Sequence, residues 1–187
     1  MTVHSAVILP PKVELTKASA KGSEMMVAES EDASSRVLDA VGQALQEKKI
    51  SLVSSPYDQK SEPLAEDRKY TLANIQGRYD ALLPKLVDKS KDIKKGRFSL
   101  GDEVMLLNVD KSADALIFIR GQGRVFTKVN PFSFDFPFLF ITVGIVDVHT
   151  GEVLVFTKPV SATKVLKDPK SLNKLIKKSL KKLPANS

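Results

Sequence analysis

Short apolar runs and helical spacings take turns along this chain, and the two periods divide it into elements. Ser5-Ala-Val-Ile-Leu-Pro-Pro11 is an apolar run closed by two prolines. A buried strand suits it, because proline cannot donate to a ladder and so marks the strand's exit. Lys12 to Thr16 alternates polar and apolar, which predicts that the extended stretch continues at a sheet edge. Lys21-Gly22-Ser23 predicts a turn, and from Glu24 to Lys49 the pattern is helical, with Val37, Val41, Ala44 and Leu45 on one face. Acidic residues gather early in that segment (Glu24, Glu29, Glu31, Asp32) and Lys48 and Lys49 close it, which complements the helix dipole.

Ile50 to Val53 reads as a short strand, and Tyr57 to Pro63 as polar surface. Leu72, Ile75, Tyr79, Leu82 and Leu86 then repeat at alternating spacings of three and four, the seam of a second helix. Gly77 and Pro84 interrupt it and predict a kink or two shorter helices. Asp102 to Val109 reads as a third, short helix. The second half is rich in β-formers: Ala115 to Phe126, Phe138 to Val148 and Val153 to Val160. Gly121 and Gly123 suggest a bulge or a close backbone approach. Asp168-Pro169 then opens a terminal helix carrying Leu172, Leu175, Ile176, Leu180 and Leu183 on one side. The order favours an α/β fold, a mixed β-sheet of about five strands layered with helices. The chain reads as a single domain over residues 1–187, with a Phe-rich connection at 127–140 and a basic C-terminal helix at 168–183.

Composition narrows the chemistry. The 187 residues contain no cysteine and two histidines, His4 and His149, which excludes disulfides and thiol nucleophiles and leaves little for a metal centre. No apolar run approaches the roughly 20 residues that a membrane-spanning helix needs. Phosphate loops, nucleophile elbows and metal-binding helix motifs are absent, and Gly121-Gln-Gly123 lacks the third glycine of a dinucleotide fingerprint. The expectation is therefore a non-enzyme, without catalytic residues, bound metal or cofactor. The net charge of +7 is concentrated: the 19 residues from Lys164 to Lys182 hold eight lysines and one acidic residue, and the remainder sums to zero. A nucleic-acid binder would spread its basic residues over a broad face, so no nucleic-acid partner is expected.

Two phrases carry a family resemblance. One is the opening strand Ala6-Val-Ile-Leu-Pro10 followed by a long helix. The other joins Ser112-Ala-Asp-Ala-Leu-Ile-Phe118 to Ile145-Val-Asp-Val-His-Thr-Gly-Glu-Val-Leu154. Together they resemble the α/β domain of the curli-secretion lipoproteins, the amino-terminal domain of TolB and the lipoprotein activators of peptidoglycan synthases. The opening Leu9-Pro-Pro-Lys-Val-Glu14 is closer still to bacterial lipoproteins with an LPP-x-V-E start. Residues 1 to 20 lack a basic start followed by an apolar stretch, which taken literally gives a cytoplasmic chain. The resemblance implies instead a periplasmic or outer-membrane-anchored domain that meets a protein partner or forms a homo-oligomer.

Three groups of residues stand out as candidate sites. Phe132, Phe134, Phe136, Phe138 and Phe140 recur at every second position, so an extended chain puts them on one face. Burial against the sheet is the ordinary fate of such rings; exposed, they would form a partner-binding patch. Lys170, Lys174, Lys177, Lys178, Lys181 and Lys182 lie mostly opposite the terminal helix's leucine stripe. They form either a plain solvated face or a contact for anionic membrane and cell-wall surfaces. Asp147, Thr150 and Gly151 read as a structural turn: glycine supplies positive φ and the carboxylate accepts from turn amides, a role favoured over catalysis.

Overall fold

The computed structural model describes residues 3–19, 22–57, 64–126, 138–157, 160–162 and 168–182. Its strands are β1 (Ser5–Ile8), β2 (Lys12–Ser19), β3 (Gly22–Met25), β4 (Ser51–Val53), β5 (Ala115–Phe126), β6 (Phe138–Asp147), β7 (Val153–Phe156) and β8 (Val160–Ala162). The helices are α1 (Val27–Glu47), α2 (Glu66–Asp88) and α3 (Pro169–Ser179), with short 3-10 turns at Ser90–Lys95, Asp102–Leu107 and Leu180–Lys182. All eight strands join one mixed sheet, which is five positions wide. The long β5–β6 pair forms its spine, in antiparallel register from Ala115↔Asp147 to Arg124↔Phe138. On the outer side of β5, β1 and then β2 pair in parallel, one after the other along the same strand. On the outer side of β6, β7 and then β8 do the same in antiparallel sense. Pro10 and Pro11 fall at the first interruption, where a missing N–H ends a ladder. The expected width of about five strands therefore holds, but those positions are filled by eight segments.

Helices cover both faces. α1 and α3 bury Val37, Val41, Leu45, Leu172 and Ile176 against Val13, Leu15, Ile117, Ile119, Val143 and Ile145. On the other face α2 and the two central 3-10 turns bury Ile75, Tyr79, Leu86, Ile93 and Val104 against Leu116, Phe118 and Val146. The alternation along β5 sorts its side chains between the two cores, as period two requires.

Several local expectations are corrected. Glu24 is not helical: residues 22–25 form β3, a hairpin partner of β2, with Thr16 opposite Met25. β2 is thus interior from Thr16 onward, and its first half, Lys12–Leu15, stays at the edge as expected. α2 is one continuous helix with Pro84 inside it. Gly77 and Pro84 both lie on its exposed side, and burial of Ile75, Tyr79 and Leu86 carries the helix past the lost hydrogen bond. Asp102–Leu107 is a 3-10 turn ending at Asn108 rather than an α-helix. Gly121 marks a close approach: a Cβ there would stand 2.9 Å from Val13 Cγ1.

Candidate functional site

The interrupted edge leaves a notch. β4 accompanies β1 only as far as Val7↔Val53, and β3 joins β2 only from Thr16↔Met25. Between them, among the described residues, no strand lies on the outer side of Ile8–Val13, the side away from β5. The start of α1 is tied down at the far end of this gap. Met26 N donates to Leu15 O at 2.8 Å, and Leu15 N donates to the Ser30 hydroxyl at 2.9 Å. Ser30 in turn donates to Met26 O at 2.6 Å. The result is a groove of about 590 Å³ floored by Pro10 and Pro11 and walled by Met25, Val27, Leu38, Leu52 and Val53. Its rim is apolar and open to solvent: Val27 is 62% exposed and Met25 48%, with Leu52 beside them. Glu31 and the α1 serines Ser34 and Ser35 line the remaining wall.

A second recess of about 470 Å³ lies on the α2 face, where the helix stops short of the distal end of the sheet. Arg120 is its most buried charge, with 9% of its side chain exposed. Its Nε donates to Asp80 Oδ1 at 2.5 Å, Nη1 to its own neighbour Ile119 O at 3.0 Å and Nη2 to Gln76 O at 3.4 Å. Asp80 also faces Lys12 at 3.7 Å, and Lys12 faces Glu14 at 3.5 Å, so the four charges form an alternating row leading outward. The Arg120 guanidinium stands over the Tyr79 ring at 5.4 Å, and that ring stacks on Phe118 at 4.3 Å. Burial pushes the Tyr79 phenol well above its ordinary pKa, against the opposing field of Arg120. The Tyr79 and Thr142 hydroxyls are both buried without a hydrogen-bond partner among the described residues.

The sequence candidates fall elsewhere. Phe132, Phe134 and Phe136 lie outside the described residues. Phe138 and Phe140 do share a face of β6, with rings 5.2 Å apart edge to face. Phe138 is half-buried, Phe140 is 42% exposed, and Phe140 lines the second recess. Along α3, Lys170, Lys174, Lys177, Lys178 and Lys181 are all exposed, while Leu172, Leu175, Ile176 and Leu180 are buried. Lys177 reaches Glu47 of α1 at 2.6 Å. The side chains of Lys182 and Leu183 lie outside the described residues. Asp168 caps α3 by accepting from Lys170 N and Ser171 N.

At the β6–β7 turn, Asp147 Oδ1 accepts from His149 N at 2.9 Å, Thr150 N at 2.7 Å and the Thr150 hydroxyl at 2.9 Å. Gly151 has φ 68°, and a Cβ there would strike the backbone of Gly101. Asp147 is thus committed to the turn by three donors. Asp114 plays a matching part at the start of the sheet, where Oδ2 accepts from His4 N at 2.8 Å and Ser5 N at 3.0 Å. Burial raises the pKa of this carboxyl, but the two amides, Ser5 and His4 outweigh it and hold the group below its ordinary value. A carboxyl with a lowered folded pKa stabilises the fold at pH above its unfolded value. That stability is lost as pH falls through the folded value. Acid unfolding followed by circular dichroism is therefore expected to show a shallower acid limb in Asp114→Asn than in the parent chain.

Neither a family model nor a curated protein matches the chain. Among solved structures it is similar to the PelC dodecamer from Paraburkholderia phytofirmans, at 13% identity and a TM-score of 0.45, covering 100% of this chain and 90% of that one. It is also similar to lipoprotein GNA1162 from Neisseria meningitidis, at 10% identity and a TM-score of 0.42, covering 95% of each chain. A third is the LpoB C-terminal domain from Salmonella enterica, at 13% identity and a TM-score of 0.32, covering 87% of this chain and 85% of that one.

Proposed function

We propose that this chain is a non-enzymatic domain of the bacterial envelope that works by contact with another polypeptide, a partner protein or a second copy of itself. The apolar groove at the interrupted edge carries this reading. Val27, Met25 and Leu52 are large side chains left in water beside a floor of two prolines, an arrangement that contact with a partner would bury. The commitment of Asp147 to its turn supports a structural rather than catalytic use of the one acidic side chain that invites a catalytic reading. The envelope setting rests on the resemblance of the Leu9–Glu14 and Ile145–Leu154 phrases to lipoprotein domains.

In its self-assembling form this function predicts a sedimentation coefficient that rises with concentration. Val27→Glu together with Leu52→Glu should hold the chain at monomer mass, because each places a charge in an apolar contact. A parent chain that stays monomeric at every concentration removes the self-assembling form. A parent and double variant that associate equally remove the groove from it.

A second reading is adhesion to anionic surfaces through the lysines of α3. It is favoured by four exposed lysines on α3 and a fifth, Lys181, on the 3-10 turn that follows, of which Lys177 alone has an ion pair among the described residues. Cosedimentation with phosphatidylglycerol vesicles should then weaken with salt and with lysine-to-glutamate changes. Binding indifferent to both would eliminate it.

A further inference from the structure

We propose that the recess beside α2 is a binding site for a small amphipathic carboxylate, whose acid group meets Arg120 and Thr142 and whose apolar body lies against α2 and Phe140. A guanidinium carries five N–H groups, and Arg120 spends one on Asp80, one on Ile119 O and one on Gln76 O. One N–H therefore remains on each terminal nitrogen, without a partner among the described residues. Directly across the β5–β6 ladder from Arg120 stands Thr142, 91% buried, whose hydroxyl has no partner among the described residues and which also lines the recess. Buried donors are ordinarily satisfied, and two residues with donors to spare that line one cavity fit an acceptor that arrives from outside.

The walls define the rest of the ligand. Leu83, Pro84 and Val87 of α2 face Phe140 of β6 across the recess, so the body beyond the acceptor is apolar. The charge row sets the acceptor's sign. Asp80 is shared by Arg120 and Lys12, and Glu14, at the far end of the row, is 39% exposed beside the half-exposed Lys12, where water screens it. The inner end of the row is the guanidinium, in the surroundings where its interactions are screened least. A carboxylate there gains charge-assisted hydrogen bonds, which are shorter and stronger than those to a neutral carbonyl. At about 470 Å³ the space suits an acyl chain or a single acylated residue.

Two sources share this chemistry, a free fatty acid and a peptidyl carboxylate, so the test uses octanoate and N-acetyl-leucine with their neutral counterparts octanamide and N-acetyl-leucinamide. Titration of the full chain is followed by amide resonances in an NMR spectrum. At least one acid should shift Gln122 and Thr142 and bind about tenfold more tightly than its amide, the factor that one charge-assisted bond supplies. Whichever acid binds assigns the source. Thr142→Val should weaken that acid about tenfold, while its melting temperature stays level or rises, since the hydroxyl it loses has no partner in the fold. The unchanged melting temperature separates lost binding from lost folding. Absence of binding by both acids, shifts remote from the recess, equal affinity for acid and amide, or full affinity in Thr142→Val would each overturn the proposal.

Discussion

Gly144→Ala is expected to lower folding stability by about 3 kcal/mol, at the upper end of what overpacking a core costs. Gly144 sits in the middle of β6, opposite Phe118 on one side and Phe156 on the other. A Cβ built there would meet the Tyr79 phenol, with Cζ 2.7 Å and Cε2 2.8 Å away, far inside van der Waals contact. The Tyr79 ring cannot step aside, because it is stacked on Phe118 beneath and covered by Arg120 above. Denaturant unfolding of the single variant, and of the same change in a Tyr79→Leu background, checks this. The penalty should shrink markedly once the ring is gone, since the two residues share one space and cannot be additive. A single-variant cost below about 1 kcal/mol would show that the ring is not fixed in the way these contacts require.

Asp80→Ala should cost a similar amount for a different reason. Arg120 is almost wholly buried, and Asp80 is its only carboxylate partner among the described residues. Removing that partner leaves a buried cation with carbonyl acceptors alone, a loss of about 3 kcal/mol when the pair lies inside. Asp80 itself is one-third exposed, and entering water offsets part of the loss. Changing both members, Asp80→Leu with Arg120→Met, should recover most of the stability, because the cost lies in the orphaned charge rather than in the absence of the bond. Thermal or chemical unfolding of the parent chain and the two variants distinguishes these outcomes. Equal loss in the single and double variants would place the effect in packing instead.

Much of the fold could be read from the chain because strong periods are local. The β5 and β6 runs, the apolar stripes of α1 and α3, and the Asp168 cap each lie within one stretch of sequence. The β3 hairpin was hidden because Gly22-Ser-Glu-Met25 is exposed throughout and carries no alternation; its place is set by pairing with β2. The unbroken α2 depends on a face held by the sheet, which local helix rules at Pro84 do not see.

The sites were less legible still. The edge groove joins Met25 of β3, one face of α1 and Leu52 and Val53 of β4 to the Pro10–Pro11 floor, and only the topology gathers them. Arg120 and Asp80 lie 40 residues apart. Their one visible sign was an arginine within the β-forming run Ala115–Phe126, where a charge needs a buried partner.

The central claim, that the interrupted sheet edge meets another polypeptide, is tested most directly by a photo-reactive residue placed at Leu52 in growing cells, with Lys91 as an exposed control position remote in sequence from the groove. The account predicts a discrete cross-linked polypeptide from position 52, in the envelope fraction, that Val27→Glu abolishes and that position 91 does not give. Equal cross-linking from both positions, or none from position 52, would contradict it.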